Sequence, residues 1–441
     1  MFLNVLFLTI GLGAYGLFFY SFFSKDKTLF FIFCATLIIF HDFIFIQLSY
    51  VVTENVVFIL KAWQEYLFLF LILILIVEKG SSNKKMFFLL LLLLFLSFYG
   101  IVSSIINGFG IQDSILGWRM YLLPILIPCL IYLNGGFKNI DNQIFYKYLK
   151  GLLFFIIIYA LYQNAIFKHY DGQDVIFATD NFRQKGEYVL RKSLWFYEYF
   201  GSDHILPGWF NLVRDGKIRA TSIFVSPIIF AQFLGVLGSF FMAKFTYSRK
   251  KFSTAILIVI TLYGIYLTQV RAGLIFYLIT FIIIYFDKKV KHDNYLILGL
   301  PLFLVVLTFF SLMFFKVGDA STIGRLGQYE ELFRYFKIFG FGFGSGKSII
   351  AYDSLIISVI FGLGIFSLIY FKIHLIVLNG IRQLNIQEKN QKTYLGIGLI
   401  SCFSAYTYII FFHFSLGSAP IKFIYFLTFY YLFQEHEERK N

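Results

Sequence analysis

Apolar runs of about twenty residues recur from one end of the chain to the other, joined by short polar connections. A helix rises about 1.5 Å per residue, so each run is long enough to cross a hydrocarbon core of about 30 Å. The runs predict helices near 1–23, 28–49, 56–77, 86–106, 118–134, 151–167, 221–243, 252–268, 272–286, 294–315, 353–371, 393–413 and 419–433. That amounts to about thirteen crossings, within a range of about 12–14. Two long polar interruptions, roughly 168–220 and 316–352, stand out from the otherwise short connections. The expected fold class is therefore all-α, a polytopic integral membrane protein with two long loops.

Composition agrees with the pattern. The 441 residues are 59% hydrophobic, 22% aromatic and only 14% charged. No stretch between the runs is long enough for a soluble domain, so one integral membrane domain over 1–441 is expected. The three cysteines, Cys34, Cys129 and Cys402, all lie within apolar runs and read as small core residues. Residues 2–23 lack a basic leader and a small-residue cleavage site before "SKDK", which reads as a retained first span. The formal charge of +14 comes from lysines and arginines scattered through short loops rather than gathered on one face. Anionic lipid or a lipid pyrophosphate suits that distribution as a partner; nucleic acid does not.

Basic residues set the expected orientation. Lys25 and Lys27, Lys79, Lys84 and Lys85, Lys138, Lys147 and Lys150, Arg249 to Lys251, Lys288, Lys289 and Lys291, Arg382, Lys389 and Lys392, and Arg439 with Lys440 fall in alternate loops. The positive-inside rule makes those loops cytoplasmic and puts both long loops on the outer face. The first long loop carries "RKSLWFYEYF" with Trp195 and Trp209, which reads either as an amphipathic segment on the membrane surface or as a sugar-contacting platform.

Arg271 breaks the apolar stretch Phe252 to Phe286. The flanking clusters "RKK" and "DKKVK" both belong inside, so Arg271 marks the tip of a helical hairpin. Roughly 35 apolar residues give each arm about 26 Å, less than the core thickness, which keeps the tip low near the outer interface. A guanidinium there either anchors to lipid headgroups or sits in a buried anion site. Arg119 in "GWRMYLLP", Arg219 in "KIRATSIFVSP" and Arg325 in "STIGRLGQYEELFRYF" stand at outer helix ends or in the second long loop. Planar guanidinium forks suit a pyrophosphate, while any one such arginine alone reads as an interfacial snorkeller.

Other polar positions divide between structure and chemistry. Lys61 and Glu65 lie four apart on one face of the third predicted span, with His41 and Asp42 at similar depth in the second, which predicts a polar cluster between those helices. "GFGFGSGKS" at 340–348 has Phe341 where a phosphate-binding loop needs its first glycine, and it lies on the outer face. Its glycines instead suggest a tight turn or close backbone approach to a lipid-linked ligand. Glu330 and Glu331 fit a solvated helix face. Asp353 precedes the run "SLIISVIFGLGIFSLIYF" and reads as an N-cap or as a general base.

Taken together, "RATSIFVSP", "TQVRAGL", "GRLGQYEELFRYFKIFGFGFGSG" and "DSLIISVIFGLGIFSL" resemble, in order and placement, segments of the bacterial O-antigen polymerase and ligase superfamily. The resemblance is carried by residues 219–371. Ligases often carry a histidine where this chain has Asp353, which favours the polymerase branch. The resemblance implies a GT-C-type fold in the bacterial cytoplasmic membrane. It also implies metal-independent inverting glycosyl transfer between undecaprenyl-pyrophosphate-linked repeat units, building O-antigen or capsular polysaccharide without a cofactor. In that scheme Arg271 and Arg325 hold the leaving pyrophosphate, Arg219 and Arg119 support it or hold the incoming lipid, and Asp353 is the base. Lys61 and Glu65 are further substrate-binding candidates. Partners would be membrane lipids, a chain-length regulator and a flippase. A ligase, a cell-wall polymerase of the shape-and-division type and a lipid-linked oligosaccharide flippase are the competing readings.

Overall fold

The computed structural model describes residues 2–49, 52–77, 83–168, 213–247 apart from 215, 216, 221 and 225, 251–290, 297, 299–315, 320–345, 354–387, 393–412 and 418–438. Helices are α1 Phe2–Phe22, α2 Thr28–Ser49, α3 Glu54–Lys61, α4 Trp63–Val77, α5 Lys84–Ile106, α6 Ile111–Tyr121, α7 Leu123–Leu133 and α8 Asn142–Lys168. They continue as α9 Pro227–Tyr247, α10 Lys251–Thr268, α11 Arg271–Val290, α12 Leu300–Phe315, α13 Ala320–Tyr335, α14 Leu355–Leu363, α15 Ser367–Gln387, α16 Thr393–Phe412 and α17 Ala419–Glu438. Apart from these, a two-residue antiparallel pair joins Val213–Arg214 to Lys217–Ile218.

Each predicted span holds a helix. Among the described residues seven are long and apolar enough to cross a membrane, and nine if each of two bent pairs is one span. Arg271–Phe286, Leu300–Phe310 and Leu395–Phe411 are shorter apolar helices. Large apolar side chains such as Leu17, Phe98, Val259 and Phe303 point outward and remain exposed, a distribution that water would penalise and lipid accepts. Several hydroxyls within the helices are satisfied by their own helix backbone. Ser97 donates to Leu93, Ser401 to Ile397 and Thr428 to Ile424, at 2.7, 2.8 and 2.7 Å. The chain is a polytopic membrane protein.

It divides into two compact units, one made of Met1–Gly80, Asn134–Leu237 and Ile256–Leu274, the other of Ser81–Leu133, Gly238–Ala255 and Ile275–Asn441. In the first, α1, α2 and α3 pack on one another and α2 packs on α8. Gly11 of α1 lies against Leu60, and a Cβ there would come within 2.5 Å of its side chain. In the second, α7 packs on α17, and α15, α16 and α17 pack mutually, with Cys129 and Cys402 buried among apolar side chains. All three cysteines are buried and free, as expected of core residues.

Among the described residues two spans bend sharply and another is interrupted by a 3-10 turn. The third bends by 40° between α3 and α4, where the Tyr15 hydroxyl donates to the Leu60 carbonyl, a side chain inserted into the helix ladder. The fifth bends by 62° between α6 and α7. Pro124 follows directly; it has no N–H for the Met120 carbonyl and its ring crowds that turn. Gly364, at φ +55°, ends α14, and a three-residue 3-10 turn leads into α15.

Candidate functional site

In the first unit Gln269 and Val270 join α10 to α11, so Arg271 does stand at the tip of the turn. Thr268 is buried, its hydroxyl donates to Ile265 O at 2.6 Å and accepts from Val270 N at 3.2 Å, and Gln269 adopts φ +52°. The segment "RATS" is brought to the same tip from 49 residues away. Arg219 Nε donates to Thr268 O at 3.1 Å and Ala220 N to Leu267 O at 3.0 Å. Ser222, also at positive φ, donates to Ile156 O of α8 at 2.6 Å. Ser226 then caps α9, with Pro227 at the first helical position, where its missing N–H costs nothing. Beneath the tip Gly273 abuts Ala231, whose Cβ would lie 2.8 Å from an added side chain.

Arg271 itself is exposed, and no hydrogen bond or ion pair among the described residues engages it. Its position is unusual for a cation. The first turn of a helix carries the positive end of the helix dipole and unpaired N–H groups, which favour anions. A guanidinium there adds to that field instead of cancelling it, and Arg219 lies at the same turn.

The second unit holds Arg119 and Arg325. Arg119 does not open a span as expected: α6 begins at Ile111, and Arg119 occupies its last turn, half-buried, just before the 62° bend. A cation is favoured at that C-terminal end. Arg325 lies on α13, the helix within the second long loop, and its side chain falls outside the described residues. Glu330 on the same helix pairs with Arg334 at 3.6 Å with both side chains exposed, so it belongs to a solvated face. Tyr329 anchors α13: its hydroxyl donates to Phe411 O at 2.6 Å and lies 3.2 Å from Ser354 Oγ. Burial pushes that phenol up to about 12, against a smaller opposing effect of the Ser354 hydrogen bond. Asp353 lies outside the described residues, but the N-cap of α14 is Ser354, whose Oγ accepts from Ile357 N at 3.4 Å, so Asp353 is not needed for that task.

The glycine-rich stretch after α13 approaches the protein's own backbone. Phe341 N and Gly342 N donate to Phe361 O and Gly362 O at the broken end of α14, at 3.0 and 2.7 Å, and Ile365 N returns a bond to Ile338 O at 2.8 Å. On its other side Phe343 N donates to Gly100 O at 3.1 Å and Gly344 N to Ser104 Oγ at 2.9 Å on α5. Gly340 and Gly342 have φ of +67° and +84°, and a Cβ on Gly342 would fall 2.1 Å from Ser104 N. The two glycine motifs, "GFGFG" and "GLG", are therefore partners: the loop satisfies the carbonyls that the helix break exposes. Tyr99 also donates to Phe339 O, and Phe341 stacks on Phe361.

Lys61 and Glu65 do not share one continuous helical face, because the chain breaks at Ala62 between them; the ladder there tightens to Ala62 N donating to Ile59 O. The expected polar cluster between the second and third spans is present in another form: Trp63 Nε1 donates to His41 Nδ1 at 2.9 Å, with Lys61 and Gln64 buried beside them in sequence. Trp63 and Tyr15, which shape this elbow, gave no signal in the sequence beyond being aromatic. Trp195, Trp209 and most of the first long loop lie outside the described residues. Among the described residues no three His, Cys, Asp or Glu side chains are grouped to hold a metal ion. Compared with known proteins, the chain matches no family model and no curated protein.

Proposed function

We propose that the protein is a membrane polysaccharide polymerase of the O-antigen or capsular type, acting on polyprenyl-pyrophosphate-linked repeat units at the outer face of a bacterial cytoplasmic membrane. The observation that carries this reading is the hydrogen bond that holds Arg219 to Thr268 O, on the turn that leads into Arg271. Arg219 is held through Nε, which fixes the plane of its guanidinium, and Arg271 is exposed at a helix N-terminus. In the reaction a sugar hydroxyl of one unit attacks the anomeric carbon of the glycan on another. The new glycosidic bond forms as the bond to the pyrophosphate oxygen breaks. The hydroxyl proton passes to a base, for which Asp353 is the candidate, and the polyprenyl pyrophosphate leaves with the bonding electrons. Negative charge grows on that leaving group, and guanidinium groups at the tip stabilise it without a metal. A GT-C-type arrangement is the expected fold in this scheme.

The direct test mixes purified protein in lipid with lipid-linked repeat units and follows glycan length. A ladder that survives EDTA is expected; a single transfer to a lipid A-type acceptor would make it a ligase instead. Broken helices favour a second reading, transport of the same lipid-linked glycans, since discontinuous spans commonly build transport sites. Movement of labelled lipid-linked glycan across vesicles without any chain growth would select it.

A further inference from the structure

The stretch from Phe333 to Phe339, the last turn of α13 and the chain just past it, is exposed at every position. Five of its seven residues are large and apolar: Phe333, Tyr335, Phe336, Ile338 and Phe339, with Phe333 83% and Phe339 66% exposed. Water disfavours a contiguous apolar patch of this kind, which therefore marks a contact surface.

Its docking fixes its depth. The Phe339 carbonyl accepts from the Tyr99 hydroxyl, the Ile338 carbonyl from Ile365 N at 2.8 Å and the Lys337 carbonyl from Gly340 N at 2.9 Å. Tyr99 precedes Ile106, the last residue of α5, by seven residues, which is about 10 Å of helix inside a span. Irregular backbone can lie at that level where protein groups take its carbonyls, as they do here. Ile105 and Ile106, nearer the end of α5, are exposed too, and Ile365 and Leu368 extend the same apolar surface beyond the helix break. Lys337 leans the other way. Its Nζ lies 4.1 Å from the Phe341 ring centroid and donates to Asn107 Oδ1 at 3.1 Å, on the residue that caps the end of α5. That is how a lysine at a membrane boundary carries its charge towards the polar side.

The geometry points to residues 333–339 as a wedge seated in the bilayer where acyl chains meet headgroups, with the apolar side chains in lipid and the Lys337 ammonium at the polar edge. Continuity with the lipid-facing surface of α5 and α15 makes the bilayer the occupant, and aromatic side chains interleaved with cations suit that boundary. Glu330, one turn back on α13, pairs with Arg334 on an exposed face, where the helix turns from lipid to water. The wedge rests on the chain being a membrane protein and not on the polymerase reading.

The test places the full chain in nanodiscs of phosphatidylcholine and phosphatidylglycerol, with the unsubstituted protein as blank because its cysteines are buried. Phe333→Cys, Phe336→Cys and Phe339→Cys each carry a nitroxide, whose collisions are measured with molecular oxygen, which concentrates among acyl chains, and with a water-soluble nickel chelate. Gly327→Cys, exposed on α13 with open space around it, is the water reference, and Phe98→Cys on α5 is the lipid reference. The ratio of oxygen to nickel collisions should be several-fold higher at all three wedge positions than at Gly327 and close to that at Phe98. Phe333 is the most exposed of the three and its replacement disturbs packing least, so its label alone decides if the other variants fail to assemble. A wedge label that meets the nickel chelate as freely as Gly327→Cys would overturn the proposal. So would one shielded from both reagents, which would mean that protein, from this chain or a second copy, covers the patch.

Discussion

The glycine turn at 340–345 and the arginine tip at 268–271 both place left-handed backbone at a join between helices, yet they answer to different demands. At the first, Gly340 and Gly342 adopt positive φ and neighbouring backbones leave no room for a Cβ, two demands that glycine meets, and the turn's N–H groups find carbonyls on α5 and α14. Every unusual feature there is answered by a protein partner. At the second, Gln269 takes positive φ without being glycine, and the residue it delivers, Arg271, is exposed on a helix end that already favours anions. The contrast separates two meanings of an odd residue in a membrane protein. One that the fold satisfies is architecture; one that the fold holds out unsatisfied is directed at something else.

That comparison can be broken most sharply at Gly342. A methyl group there meets Ser104 N, so Gly342→Ala should cost about 3–5 kcal/mol through strain and overpacking, read as loss of folded protein in a detergent melting assay. A variant of normal stability would mean that the loop does not dock on α5. Ser104→Ala keeps the space but removes the acceptor for Gly344 N and the partner of Ser114 Oγ, 2.8 Å away. A smaller loss of about 1–2 kcal/mol is expected, together with faster proteolysis in 336–345. At the arginine tip the sign reverses. Gln269→Gly relieves the left-handed backbone and should leave stability unchanged or raise it by up to about 1 kcal/mol, with polymerisation retained. A large loss of stability would show that Gln269 is there for contacts instead of conformation.

Much of this architecture was legible in the order of apolar and polar residues, because a helix hydrophobic on all sides is recognisable by length alone. The breaks were harder to see. Apolarity continues straight through Ala62 and Leu122, and only Pro124 hinted at the second. Helix boundaries moved accordingly, which turned Arg119 from the start of a span into the end of α6. The docking of the glycine loop on α5 was not legible, since Gly344 and Ser104 lie 240 residues apart and neither type of residue announces a partner. Of the site, the sequence marked Arg271 as a turn residue and grouped it with Arg219. The docking of Arg219 on Thr268 O, three residues before Arg271, is a tertiary fact that no spacing contains.

The central claim is that Arg271 meets a pyrophosphate rather than a lipid surface, and Arg271→Lys tests it most directly. Lysine keeps the charge and snorkels as well as arginine, but it lacks the planar fork that spans two phosphate oxygens. Glycan chain growth from lipid-linked repeat units should fall by about 10²–10³ in this variant, at unchanged abundance and melting temperature, as when one preorganised contact to a transition state is lost. Full activity in folded Arg271→Lys protein would contradict the account and leave the tip as a lipid anchor.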